Sequence, residues 1–253
     1  MATTLKFENL VDKTFSTIIP SLQIEVFGSI YTLDDEITLV GLYQLEDLRF
    51  FYAALANFIQ EKYSLTPEIV DKLTPIDLQF LQLELKKNSD GKILKINFQC
   101  PGETCATPLK ADIDLDKIQI KNGKNFTKVL TVDDSTKLVI GVPYYKEYFS
   151  IVSEFTNLKD DDYQKVIEKN IELFKVSIKS IIQGDVVTVV TEEVRNDPQF
   201  NDFFKRKLRK QYKEYEEYLQ NESPELKYDE KIICAKCNKK IALGVEDFFY
   251  SAL

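Results

Sequence analysis

Apolar side chains recur at steps of three and four from Leu45 onward, at Leu48, Phe51, Tyr52, Leu55, Phe58 and Ile59, which is the spacing of one helical face. Two Thr-Pro pairs follow. Each sets a capping hydroxyl before a proline at the first helical position, so Thr66-Pro67 opens a helix into EIVDKL and Thr74-Pro75 opens another into IDLQFLQLEL. Residues 18–42 mix β-branched side chains with the turn signals Ile19-Pro20-Ser21, Phe27-Gly28-Ser29 and Asp34-Asp35, predicting one or two short strands. Asn88-Ser89-Asp90-Gly91 is turn chemistry, after which the period falls to two through residues 92–98 and a strand runs into Cys100. Further extended stretches are predicted at 109–115, 128–132 and 137–142, the last stopped by Pro143.

A second helical block begins at the acidic run Asp160-Asp161-Asp162, suited to the positive end of a helix dipole. Ile167, Ile171, Phe174, Ile178 and Ile181 then follow at steps of four, three, four and three, with Gly184 placed to close the helix. The steps also match a coiled-coil seam, but they span too few heptads for one, so core packing is the reading. Residues 185–190 read as a strand. Asp197-Pro198 opens a helix reaching Gln220, with Phe204, Leu208, Tyr212, Tyr215 and Leu219 on one face, and the tail from Leu226 returns to strand character. No internal repeat or low-complexity linker interrupts the chain.

Composition removes whole classes of chemistry. The 253 residues include no histidine, which excludes Ser-His-Asp and Cys-His nucleophile pairs, HExxH zinc sites and Cys2His2 fingers. Asp plus Glu number 41 against 33 Lys plus Arg, a formal charge of -8, so the average field repels phosphate. The arginines are four, Arg49, Arg195, Arg206 and Arg209, so there are few guanidinium forks with which to read nucleic acid. No segment reaches the ~20 apolar residues of a membrane helix, and residues 1–15 lack the layout of a signal peptide, which reads as a soluble intracellular protein.

The four cysteines fall in two close pairs, Cys100 with Cys105 and Cys234 with Cys237. Both gaps suit zinc knuckles, tight turns that aim two thiolates at one ion. Each pair ends a strand (KILKINFQC, KYDEKIIC) and leads into another extended stretch, as in a zinc ribbon. Cys100, Cys105, Cys234 and Cys237 therefore fit one closed, structural zinc site per chain. The distance between the pairs far exceeds that of a compact ribbon, so the site would clasp remote parts of the chain. Four buried thiols without metal, or a redox dithiol at Cys234 and Cys237, remain the alternatives; the second pair lacks a thioredoxin-like helix start. The resulting fold class is α+β, with helical N-terminal and C-terminal-half segments around a β-rich, zinc-ribbon-like core. Residues 1–91 form a mainly helical N-terminal region, 92–143 plus 226–253 the β-rich region, and 144–225 a helical insertion.

Other features are weaker. Residues 203–213 (FFKRKLRKQYK) carry six basic side chains near aromatics, and read as an amphipathic helix docked on the body whose basic end suits an acidic partner. Asp112, Asp114 and Asp116 alternate as on a strand and read as a solvated edge, and no glycine-rich phosphate loop is present. Phe248, Phe249 and Tyr250 line up near the end of the sequence and are candidate partner-binding residues, unless they tuck into the body.

The string LTPIDLQFLQLELKKNSDGKILKINFQC, the first cysteine pair followed by ADIDLDKIQI, a later KLVIGVP, then NDPQFNDFF and finally IICAKCNKKIALGVEDFF come in an order that resembles the baseplate hub family of T-even-like contractile-tailed bacteriophages. The resemblance covers about residues 15–250. One departure is the acidic stretch Asp34, Asp35 and Glu36, where the family has a basic, proline-containing segment. The resemblance implies a non-enzymatic part of the central hub or a factor for its assembly, in a multi-copy symmetric structure. Its partners would be other baseplate hub proteins, with no direct nucleic acid and no membrane span. Its location would be the virion tail, and the host cytoplasm during assembly. A stand-alone zinc-ribbon adaptor, for example in transcription, and a C-x-x-C oxidoreductase are the competing functions.

Overall fold

The computed structural model describes residues 14–45, 47–102, 105–155 and 162–243. Phe248, Phe249 and Tyr250, like Asp160 and Asp161, lie outside the described residues. The fold is α+β, with helices set among small antiparallel sheets.

The chain opens with a hairpin of β1 (Thr14–Ile19) and β2 (Ile24–Ser29), then α1 (Leu33–Tyr43), α2 (Leu48–Lys62), the single turn α3 (Pro67–Val70) and α4 (Pro75–Asp90). Their apolar faces meet in one core, where Ile19, Ala56, Ile59, Leu73, Leu78 and Leu81 are fully buried. The N-terminus of α4 is tied to the hairpin turn through Asp77, which is itself fully buried. Its carboxylate accepts from the N–H and hydroxyl of Thr74 at 2.8 and 2.7 Å, and from the N–H and hydroxyl of Ser21 at 2.9 and 2.6 Å. A buried carboxyl group is tolerated there because four donors replace its water.

The short strands expected within residues 18–42 end at Ser29, and residues 33–42 are helical. Thr32 and Asp35 form a reciprocal capping box, so the acids taken as a turn signal are the first turn of α1. Burial raises the cost of ionising Asp35, but the Lys62 ammonium at 2.5 Å and the Thr32 N–H outweigh it and hold the carboxyl below the usual range.

Gly91, at φ +97°, ends α4, and β3 (Ile93–Gln99) pairs with β4 (Pro108–Asp114) from Ile93↔Asp114 to Gln99↔Pro108. Asp116 lies beyond β4 in a 3-10 turn (Leu115–Lys117), not on the strand, and pairs with Lys92 at 2.5 Å. A second core of Leu83, Leu94, Ile96, Ile113 and Tyr228 backs this hairpin. β5 (Gln119–Lys121) pairs with β10 (Glu225–Lys227), and β11 (Lys231–Ile233) with β12 (Lys240–Ala242).

The largest sheet has the order β6-β7-β8-β9, from Thr127–Thr131, Thr136–Gly141, Ile178–Gln183 and Val186–Val189. It draws strands from either side of Pro143. Between β7 and β8 lie α5 (Tyr145–Phe155) and α6 (Tyr163–Ser177); after β9 come α7 (Glu192–Asn196), α8 (Pro198–Lys207), α9 (Arg209–Glu217) and a π turn at Tyr218–Glu222. The third core joins Leu138, Ile140, Phe174, Ile178, Tyr215 and Tyr218.

Two helices are shorter than their periodicity suggests. α6 stops at Ser177, and Ile178 and Ile181 belong to β8, because this β-branched run completes the ladder beside β7. Phe174 and Ile178 still share one core, which is why a helical spacing fitted both. Gly184, at φ +57°, makes the β8–β9 turn instead of a helix cap. The helix from Asp197 breaks at Leu208, whose backbone (φ −102°, ψ 13°) leaves helical geometry while its side chain stays buried.

Candidate metal centre

β3 and β4 deliver Cys100 and Cys105, and β11 and β12 deliver Cys234 and Cys237. The two turns share a backbone plan. In the first, the Cys100 N–H donates to Thr107 O at 2.9 Å, and Ala106, just after the second cysteine, takes φ +38°. In the second, the Cys234 N–H donates to Lys239 O at 3.0 Å, and Asn238, just after the second cysteine, takes φ +57°. The left-handed residue swings the chain back beside the incoming strand and leaves both thiols on the inside of the turn. Asn tolerates that conformation well; Ala tolerates it less.

All four thiols are reduced, and their sulfurs lie within 4.8 Å of one another. Sγ of Cys100 is 3.5 Å from that of Cys237, and Sγ of Cys105 is 3.7 Å from that of Cys234. A disulfide would need about 2.05 Å. An ideal tetrahedron with metal–sulfur bonds of about 2.3 Å sets its sulfurs about 3.8 Å apart. The spacing therefore fits four ligands around one ion. A Cβ on Gly102 would come 3.1 Å from Cys105 Cβ and 3.5 Å from Cys100 Sγ, so a side chain there would press on the Cys105 side of the turn. Lys239 Nζ donates to Pro101 O at 2.9 Å and links the two turns.

The thiols are electrostatically unequal. Thr107 Oγ1, 3.1 Å from Cys105 Sγ, brings that thiol down to about 6 against the opposing effect of burial. The N–H groups of Cys237 and Lys236 lower Cys234 in the same way. Burial pushes Cys100 up to about 12. Four sulfurs this close shed protons in coupled steps, and a cation among them is what would let all four ionise.

The four cysteines of the sequence reading are thus brought to one place. Sequence reasoning missed Thr107, Ala106, Asn238 and Lys239, which shape the turns. A signal was available in the small or turn-forming residue after each pair, Ala106 and Asn238. Phe98, Leu109, Ile232 and Leu243 pack against Cys100 and Cys234, while Cys237 stays exposed.

The described residues thus define an α+β scaffold whose two sequence-distant hairpins meet at one four-thiol cluster. A family model described as T4 bacteriophage base plate protein matches residues 29–250, spanning both cysteine pairs, and the chain belongs to that family. It is a structural protein of the phage tail baseplate, a place that implies association with other tail proteins. No curated protein and no solved structure matches the chain. Among the described residues, no helix is long and apolar enough to cross a membrane.

Proposed function

We propose that the chain is a component of the baseplate's central hub, acting through protein–protein contacts and stapled by one structural zinc ion on Cys100, Cys105, Cys234 and Cys237. The observation that carries the zinc reading is the sulfur spacing, at 3.5 and 3.7 Å across the two turns. An all-thiolate, four-coordinate shell suits zinc, and no fifth donor or open position is needed for a structural role. Bound zinc would supply four bonds and no redox chemistry. The chain's own residues do the rest: Gly102 lets the first turn close, and Thr107 favours the thiolate of Cys105.

In this reading the β3–β4 and β11–β12 hairpins are the clasped, ribbon-like unit, while the expected boundary at residue 143 gives way to the sheet that β6 and β7 share with β8 and β9. The hub assignment rests on the ordered series of landmarks from LTPIDLQF to IICAKC, within a family already tied to the baseplate. Metal analysis of purified protein should give one zinc per chain; a fully folded, metal-free preparation would sink the clasp. Electron microscopy of tails should place the chain on the central axis; density at the baseplate periphery alone overturns the hub assignment.

A further inference from the structure

An antiparallel sheet with one face on a core normally turns polar side chains to water on the other. The β6-β7-β8-β9 sheet does so only in part, since β-branched apolar side chains stand among Lys137, Thr131 and Ser180 and take over the face at β9. Leu138 and Ile140 point into the third core, so Lys137 and Val139 are on the outer face, and the register carries that face to Val129 and Thr131 on β6, Ser180 and Ile182 on β8, and Val187 and Val189 on β9. Val129, Val187 and Val189 are 55 %, 61 % and 65 % exposed.

The two edges of this sheet also differ. At β6, Gln211 donates to Thr131 O at 2.7 Å and Lys128 pairs with Glu222 at 2.6 Å, so side chains from α9 and the π turn guard the edge. β9 is exposed at every residue and carries neither lysine nor proline, the usual guards of an edge strand. The Val190 N–H bonds inward to Lys179 O at 2.9 Å, so by alternation Val187 and Val189 direct their N–H and C=O groups away from the sheet.

Charge selects the occupant. Asp185 stands at one end of β9, beside the acidic β6–β7 turn with Asp133 and Asp134, since the Gly184 N–H bonds Ser135 O at 2.9 Å. Glu192 and Glu193 stand at the other end. A second copy paired antiparallel would bring Asp185 toward Glu192 of its mate. A strand with basic flanks meets acid at both ends instead.

We propose that β9 is where another tail protein adds a strand: an extended segment of alternating β-branched residues flanked by Lys or Arg, bonded along Val187 and Val189 and extending over the outer valine face. This deepens the protein–protein reading above by naming the kind of partner, and it rests on that reading only in taking the partner to be a tail protein.

The full chain, isotope-labelled, would be titrated with the peptides KVTVTVK and EVTVTVE and followed by amide NMR. KVTVTVK should shift the amides of β8 and β9 and bind about tenfold tighter than EVTVTVE at low salt. The V187K/V189K variant should lose that binding while keeping its melting temperature. D185K/E192K, altered at exposed positions, should reverse the peptide preference and serves if the first variant misfolds. Absent binding, equal binding of the two peptides, shifts confined elsewhere, or a β9-dependent dimer in sedimentation would each overturn the proposal. Loss of the zinc or hub reading would leave these readouts unchanged.

Discussion

The N-terminal core and the thiol cluster are held together by different means. Around α2 and α4, long apolar faces interlock, and fully buried leucines such as Leu73, Leu78 and Leu81 do the joining. Around the cysteines, β11 and β12 are three residues each, and the cluster's own buried residues are Cys100, Cys234 and Ile241. A two-stranded hairpin that short is not stable in water alone. The first region is held by area removed from water and, on the zinc reading proposed above, the second by ligand geometry, so the two should fail under different insults.

The sharpest way to separate them is to remove metal. Chelation, or Cys234→Ser, should unfold β11–β12 and expose β3–β4 to hydrogen exchange while α2 and α4 keep their protection. The lost free energy is on the order of 10 kcal/mol by the standard of small zinc domains. Uniform protection after complete metal loss would erase the contrast. Leu81→Ala should do the reverse, costing about 3 kcal/mol in a urea melt with zinc content unchanged.

A smaller effect is expected at Asp77. Asp77→Ala would strand the Ser21 and Thr74 donors in a dry site, costing about 2 kcal/mol and loosening the β1–β2 turn, again with the metal retained. The smallest is acid dependence at Asp35. Its folded-state pKa lies below the ordinary one, so its contribution is complete above the unfolded value and is lost as pH falls through the folded one. Asp35→Asn should therefore cost about 1 kcal/mol near neutrality and flatten the decline of stability between about pH 5 and pH 2, read from urea melts across that range. A decline as steep as in the parent chain would mean that Lys62 does not hold this carboxylate.

Much of this contrast was legible in the sequence. The helices α2 and α4 follow from periodicity and from Thr74-Pro75, and β3 and β7 from a period of two. The cysteine pairs were visible by spacing and their meeting at one site by ligand count, four cysteines and no histidine, whereas the packing that joins them across such a separation is encoded in no local pattern. The readings that failed did so for physical reasons. Asp34 and Asp35 serve turns and helix starts alike, Ile178 and Ile181 fit a helical step while completing a ladder, and Leu208 keeps its place in the core although the backbone breaks there. The valine face of the large sheet was missed because alternation tells which residues share a side, not which side meets water.

Cys105 and Cys234 are 129 positions apart, yet their sulfurs are neighbours. During synthesis the ribosome releases the first pair long before the second exists. The β3–β4 turn must therefore wait as an open half-site until Cys234 and Cys237 have been made. A product terminated before residue 234 could still assemble the N-terminal core, but it would carry two orphan thiols in place of a finished clasp. Closure of the cluster thus reports that synthesis has passed Cys237.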